Sequence, residues 1–151
     1  RRIADARIRD SLLREYIERM SVLLIEQDLA TAKRGSPVRY VALARTLTLL
    51  NALAEDGPRK GSVVQFLYEA GLIHKEAAVL RLYDANLSGA YLSGINLSGA
   101  YLSDTNLSDT NLSGANLRRA ILNRTKITEV QLRDARSLQG AYCKINLPTS
   151  R

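Results

Sequence analysis

Two hydrophobic periods divide this chain. From about Ile3 to Ala32, Leu13, Tyr16, Ile17, Met20, Leu23 and Leu24 recur at spacings of three, four and seven, while Arg14, Glu15, Glu18 and Arg19 fall opposite. That spacing predicts a long amphipathic helix. Lys33-Arg34-Gly35 supplies basic side chains and a glycine for its stop, and Ser36-Pro37 reads as an N-cap followed by proline at the first helical position. A second helix follows over about Pro37 to Ala54. Its apolar residues occupy more than one face, as expected of a helix buried between neighbours. Gly57-Pro58 opens a third helix that runs to about Ala70, where Gly71 with Leu72 and Ile73 forms a glycine stop.

Near Val79 the period becomes five. Leu82, Leu87, Leu92, Leu97, Leu102, Leu107, Leu112, Leu117, Leu122, Ile127 and Leu132 recur without slippage. From Leu87 on, a small or medium residue lies two positions before each, among them Ala85, Ala90, Ile95, Thr105, Thr110 and Thr125. Turn formers such as Ser88-Gly89 and Ser103-Asp104 follow most of the leucines. A period of five suits neither a helix nor a flat strand. It suits a chain that turns a corner every five residues and sends two of each five inward. Four corners close a square, so residues 20 apart should stack, with adjacent coils about 4.8 Å apart as hydrogen-bonded strands are.

The fold class this predicts is a mainly β solenoid with an α-helical N-terminal cap. Residues 1–78 form the cap, 79–147 the repeats with an irregular C-terminal cap, and 148–151 a tail. Leu82 to Leu132 form the interior ladders. The turn pairs change to Arg118-Arg119, Asn123-Arg124 and Thr128-Glu129 late in the array. After Leu132 the register slips by one, through Arg136-Ser137 to Leu138 and Cys143, as expected where an open end is capped.

Composition narrows the function. The 151 residues suffice for one domain, or for two small units sharing a core. No apolar run approaches the roughly 20 residues that cross a bilayer, and no signal segment opens the chain. The start at Arg1-Arg2 without methionine suggests a piece of a longer protein, with room for an anchor upstream. Cys143 is the single cysteine, which excludes a disulfide framework. The net charge of +7 is spread over both halves and reads as a solvated surface.

No catalytic set assembles from these residues. His74 is the single histidine and reads as a junction residue, and Cys143 as the filler of an inward slot. The serines recur because turns recur, and no phosphate-loop motif is present. The glycosylation sequons, such as Asn123-Arg124-Thr125, are by-products of the repeat. The expectation is therefore a non-enzyme without cofactor or metal. Tyr91 and Tyr101 face outward ten residues apart, on opposite sides, which argues against one aromatic platform for single-stranded nucleic acid. Arg118, Arg119, Arg124 and Lys126 are the candidate interaction surface, suited to an acidic partner or lipid headgroups.

The pattern of Ala85-Asn86-Leu87-Ser88-Gly89 and Ala115-Asn116-Leu117-Arg118-Arg119 resembles that of the pentapeptide-repeat proteins. The resemblance covers about residues 80–134 and implies a right-handed quadrilateral β-helix. Ala44-Arg45-Thr46-Leu47-Thr48, Arg59-Lys60-Gly61 and Gln65 to Ile73 resemble a segment that precedes the repeats in many cyanobacterial members, which often carry transmembrane helices further upstream. Some members of the family mimic DNA and bind type II topoisomerases. That role needs a long acidic rod, whereas this array is short and offers only Asp84, Asp104, Asp109, Glu129 and Asp134. An ice-binding surface is disfavoured too, because Thr105, Thr110 and Thr125 point inward. The functional expectation is a protein–protein interaction or scaffold module, cytoplasmic or membrane-associated in a bacterium. The alternative is electrostatic binding to nucleic acid or anionic membrane, and self-association through a coil end is a third possibility.

Overall fold

The computed structural model describes residues 2–74 and 78–143. Helix α1 spans Arg2–Glu26 and buries Tyr16, Met20 and Leu23, with Leu13, Ile17 and Leu24 packed at the margin. It ends earlier than the sequence pattern suggests, because Asp28 takes a left-handed conformation (φ 48°) that no helix continues through. A single 3₁₀ turn, Leu29–Thr31, then drops Leu29 into the core. Helix α2 spans Pro37–Ala52. Pro37 occupies its first turn, but the Ser36 side chain makes no capping bond, unlike the expectation from Ser36-Pro37. Inside, the Tyr16 hydroxyl and Thr46 Oγ1 are 2.8 Å apart, and burial raises the Tyr16 phenol well above its ordinary range.

Helix α3, Gly57–Glu69, is capped by Asp56, whose carboxylate accepts from the Arg59 backbone amide at 3.1 Å. It ends in a glycine stop. Gly71 N–H donates to Tyr68 O and Leu72 N–H to Leu67 O, each at 2.9 Å, with Gly71 at φ 71°.

The expectation of a mainly β solenoid, a right-handed quadrilateral β-helix, is overturned. Among the described residues there is no strand and no sheet, and the regular elements are helices. The physical reason is the shortness of each side. Only one residue per side pairs with the neighbouring coil before the chain turns, so pairing is confined to isolated parallel bridges such as Asn86 to Asn106 to Lys126 and Tyr101 to Ile121. Every corner then reverses the backbone through a left-handed residue, at Asp84, Gly89, Gly94, Gly99, Asp104, Asp109, Gly114, Arg119 and Arg124. A strand cannot extend across such a residue.

What residues 81–128 do form is a stack of four-cornered coils in a 20-residue register. Leu82 N–H donates to Tyr101 O, Leu102 N–H to Ile121 O, and Asn106 N–H to Ala85 O, each at 2.9 Å. Asparagines brace five of these nine corners. Oδ1 of Asn86, Asn96, Asn106, Asn111 and Asn116 accepts the backbone amide two residues on, at 3.0–3.2 Å. Leu82 through Leu122 at five-residue spacing are all buried, whereas Ile127 and Leu132 are half-buried. The inward threonines hide their hydroxyls by donating to the coil beneath: Thr105 to Leu82 O, Thr110 to Leu87 O and Thr125 to Leu102 O, at 2.7–2.8 Å.

The third coil is interrupted by helix α4, Glu129–Asp134, so Leu132 lies in a helix and not on a repeat side. Thr128 and Gln131 form a reciprocal capping box, the Thr-x-x-Gln signature that outcompetes the five-residue pattern here. Gln131 Nε2 also donates to Leu107 O (2.7 Å) and Thr110 O (2.9 Å), pinning α4 onto the second coil. The chain rejoins the stack one residue late, with Asn116 bridged to Ser137 and Ile121 to Tyr142. Gln131→Ala removes both roles and should cost about 1–2 kcal/mol. A thermal melt would read this as a fall of roughly 3–8 °C; an unchanged Tm would show that α4 holds without its cap.

The helices close the other end by supplying polar partners to the open edge of the first coil. Gly57 O accepts from Tyr91 N–H at 3.0 Å. Lys60, fully buried, donates from Nζ to Ser88 O at 3.0 Å, and its desolvation lowers the ammonium pKa. Arg39 donates from Nε to Val79 O and from Nη2 to Ala78 O, both at 2.7 Å. Asn96 Nδ2 donates to the Tyr68 hydroxyl at 2.6 Å. One hydrophobic core runs unbroken from Tyr16 through Leu67 and Leu82 to Leu122.

Candidate functional site: one outer face of the coils

The Arg59-Lys60-Gly61 motif proves structural. Arg59 reaches from α3 to Asp10 on α1 at 2.7 Å and to its own cap Asp56. Lys60 binds the first coil as described. Gly61 lets α3 approach so closely that an added Cβ would lie 2.3 Å from Tyr91 O.

The four basic candidates are divided among different places. Arg118 and Arg119 form one corner, exposed and with Arg119 left-handed. Arg124 stands at the next corner, where Nε and Nη2 grip the Asp104 carboxylate from the coil below at 2.6 and 2.7 Å. The paired guanidinium holds that carboxyl below its usual range. Lys126 is exposed on the side beyond. Only Arg118 and Arg119 are adjacent, and Arg124 already has its carboxylate.

Between those two corners lies a feature that the spacing argument missed. Tyr101, Ile121 and Tyr142 stand above one another on the outside, joined by successive backbone bridges. Tyr101 packs edge-to-face on Tyr83, with ring centroids 6.4 Å apart, and carries the Arg81 guanidinium 4.3 Å above its ring. Tyr142 is 52% exposed and Ile121 half-buried. Tyr91 lies elsewhere, against Gly57 on α3. Tyr142 escaped notice because it is 41 residues from Tyr101, not 40. The extra residue is the one that α4 inserts, so the Thr-x-x-Gln signature was the signal that could have revealed the stripe.

Other reactive groups stand outside this face. Cys143 is half-buried, its Sγ 3.7 Å from Leu122 O, and burial pushes the thiol pKa up, away from the nucleophilic thiolate. His74 packs tilted against the Tyr68 ring at 4.9 Å. Among the described residues no group of three His, Cys, Asp or Glu side chains is placed to hold a metal ion, and no helix is long and apolar enough to cross a membrane.

The five-residue register and the asparagine corners agree with family comparison. The pentapeptide-repeat model matches residues 81–119 and 100–136, with eight copies of the repeat. Residues 81–136 are a pentapeptide-repeat array. The matched residues carry Tyr101, Ile121, both arginine corners and the whole of α4, and end before Tyr142. Pentapeptide repeats are in general structural or protein-interaction modules and not enzymes. No curated protein matches this chain.

Proposed function

We propose that this protein is a non-catalytic scaffold that docks a partner protein on the Tyr101–Ile121–Tyr142 face. The observation that carries this reading is the stripe itself: large apolar side chains held in line on the outside of a hydrogen-bonded coil stack. Side chains already held in a rigid row cost little ordering entropy on binding, and the exposed Tyr142 leads this one. Arg118 and Arg119 border the stripe with charge that no described carboxylate answers, while Arg124 at the other corner is neutralised by Asp104. The complementary partner surface is therefore apolar at its centre and acidic along one edge.

The test is a quantitative pull-down with the tagged full-length protein from its native host, run beside two variants. Tyr142→Ser truncates the stripe at its most exposed residue. Arg118→Ser with Arg119→Gly removes the charge and restores the Ser-Gly corner used at Ser98-Gly99, so the fold is kept. A stoichiometric partner lost from both variants supports the reading, with at least tenfold weaker recovery expected. Equal recovery from wild type and both variants would move the interface to another side of the stack. A salt-sensitive association with DNA or anionic vesicles, abolished by the arginine variant alone, would replace protein docking with electrostatic binding.

A further inference from the structure

A second site lies where the helices meet the first coil. Arg34, Arg39 and Arg81 line one cleft of about 400 Å³ together with Thr31, Ala78 and Val79, and among the described residues no acid is in its walls. An adjoining hollow of about 200 Å³ shares all three arginines and adds Tyr40 and Tyr83. Among the described residues no carboxylate pairs with any of the three guanidinium groups. From residue 29 to residue 54 the chain carries Lys33, Arg34, Arg39 and Arg45 and no acid at all. Positive charge is concentrated in a concave place, where low-dielectric walls strengthen its field.

The arginines differ in how firmly they are held, and the difference resembles that of a prepared site. Arg39 is clamped by its bonds to Ala78 O and Val79 O, with a longer contact from Nη1 to Ala32 O at 3.4 Å. Those three bonds leave one N–H on each terminal nitrogen, a fixed two-pronged donor. Arg81 is steadied by its stack on Tyr101 and by Nη1 at 3.4 Å from the Tyr83 hydroxyl. Arg34 is exposed on the loop above. Helix α2 begins at this wall with its N-cap side chain unused, so the positive end of its dipole adds to the three charges. Planar guanidinium forks match oxyanion geometry better than an ammonium would, and three of them suit a group with three terminal oxygens.

We propose that this cleft binds a phosphate group, with Arg39 as the fixed anchor and Arg34 and Arg81 closing on its oxygens. The group is either a free phosphate or a phosphomonoester headgroup of a lipid, and the chemistry of recognition is the same for both. Titration calorimetry with inorganic phosphate, at constant ionic strength set with sodium chloride, tests the first source. Flotation with phosphatidylcholine vesicles with and without phosphatidic acid tests the second. Arg34→Gln and Arg81→Gln are the variants, each checked for native circular dichroism; Arg39 is left alone because it also holds two backbone carbonyls. Saturable phosphate binding weakened at least tenfold in both variants is the result expected for a free ligand. Binding confined to phosphatidic acid vesicles, with the same loss, assigns the headgroup. Absence of binding to either probe, or binding indifferent to both substitutions, overturns the site.

Discussion

Leu107→Asp should abolish the cooperative fold. Leu107 is fully buried, its amide donates to Lys126 O at 3.0 Å, and its carbonyl is held by Gln131. Removing the leucine forfeits about 1.5–3 kcal/mol of burial. The carboxylate that replaces it must either ionise without a partner or stay protonated with its hydrogen bonds unmet, at a further cost of several kcal/mol. The sum, at least about 5 kcal/mol, rivals the roughly 5–15 kcal/mol by which a domain of this kind is stable. Because one core joins helices and coils, both should be lost together. Circular dichroism would show a reduced helical signal and no sharp thermal transition. Native-like signal and melting in this variant would mean that the repeat leucines do not carry the stability assigned to them.

Gly61→Ala should be unusually damaging for so small a substitution. In an isolated helix this change is favourable by about 1 kcal/mol, because glycine loses more backbone entropy than alanine. Here the added methyl would stand 2.3 Å from the Tyr91 carbonyl oxygen, and one turn earlier Gly57 makes an equally close approach to Gly89 O. Neither obstacle is the tip of a flexible side chain, so α3 must lift from the first coil. Lifting it stretches the Tyr91 N–H to Gly57 O bond and withdraws Lys60 from Ser88 O. A net loss of about 2–3 kcal/mol is expected from the overpacking and the weakened bonds together. The corresponding drop in Tm is roughly 5–12 °C. A Tm at or above that of wild type would show that helix propensity outweighs the contact and that the helices sit more loosely on the coils.

Much of the architecture is legible in local chemistry. Helix α1 follows from the spacing of Tyr16, Met20 and Leu23, and α3 from Gly57-Pro58 at one end and Gly71 at the other. The five-residue recurrence of leucine places Leu82 through Leu122 in the core and every Ser-Gly or Ser-Asp pair at a corner. These are short-range facts, set by side-chain direction and by which residues tolerate a left-handed backbone. Asp28 and α4 were harder to read because each is a competition between two local patterns. Arg59-Lys60-Gly61 was visible as a motif, but its meaning was not, since its distant partners lie on α1 and on the first coil.

Short-range chemistry sets the helix faces, the corners and the 20-residue register, and no run of residues in the chain is long and apolar enough to cross a membrane. Tertiary structure decided the rest. It showed that sides five residues long pair only one residue at a time, so that coils stack without strands or sheets. It split the basic residues Arg118, Arg119, Arg124 and Lys126 between corners and gave Arg124 to Asp104. It also aligned Tyr142 over Ile121 and drew Arg34, Arg39 and Arg81 into one cleft. The physical reason is common to all of these. Each depends on atoms brought together from distant parts of the chain, and a single inserted residue at α4 is enough to change which side chains share a face.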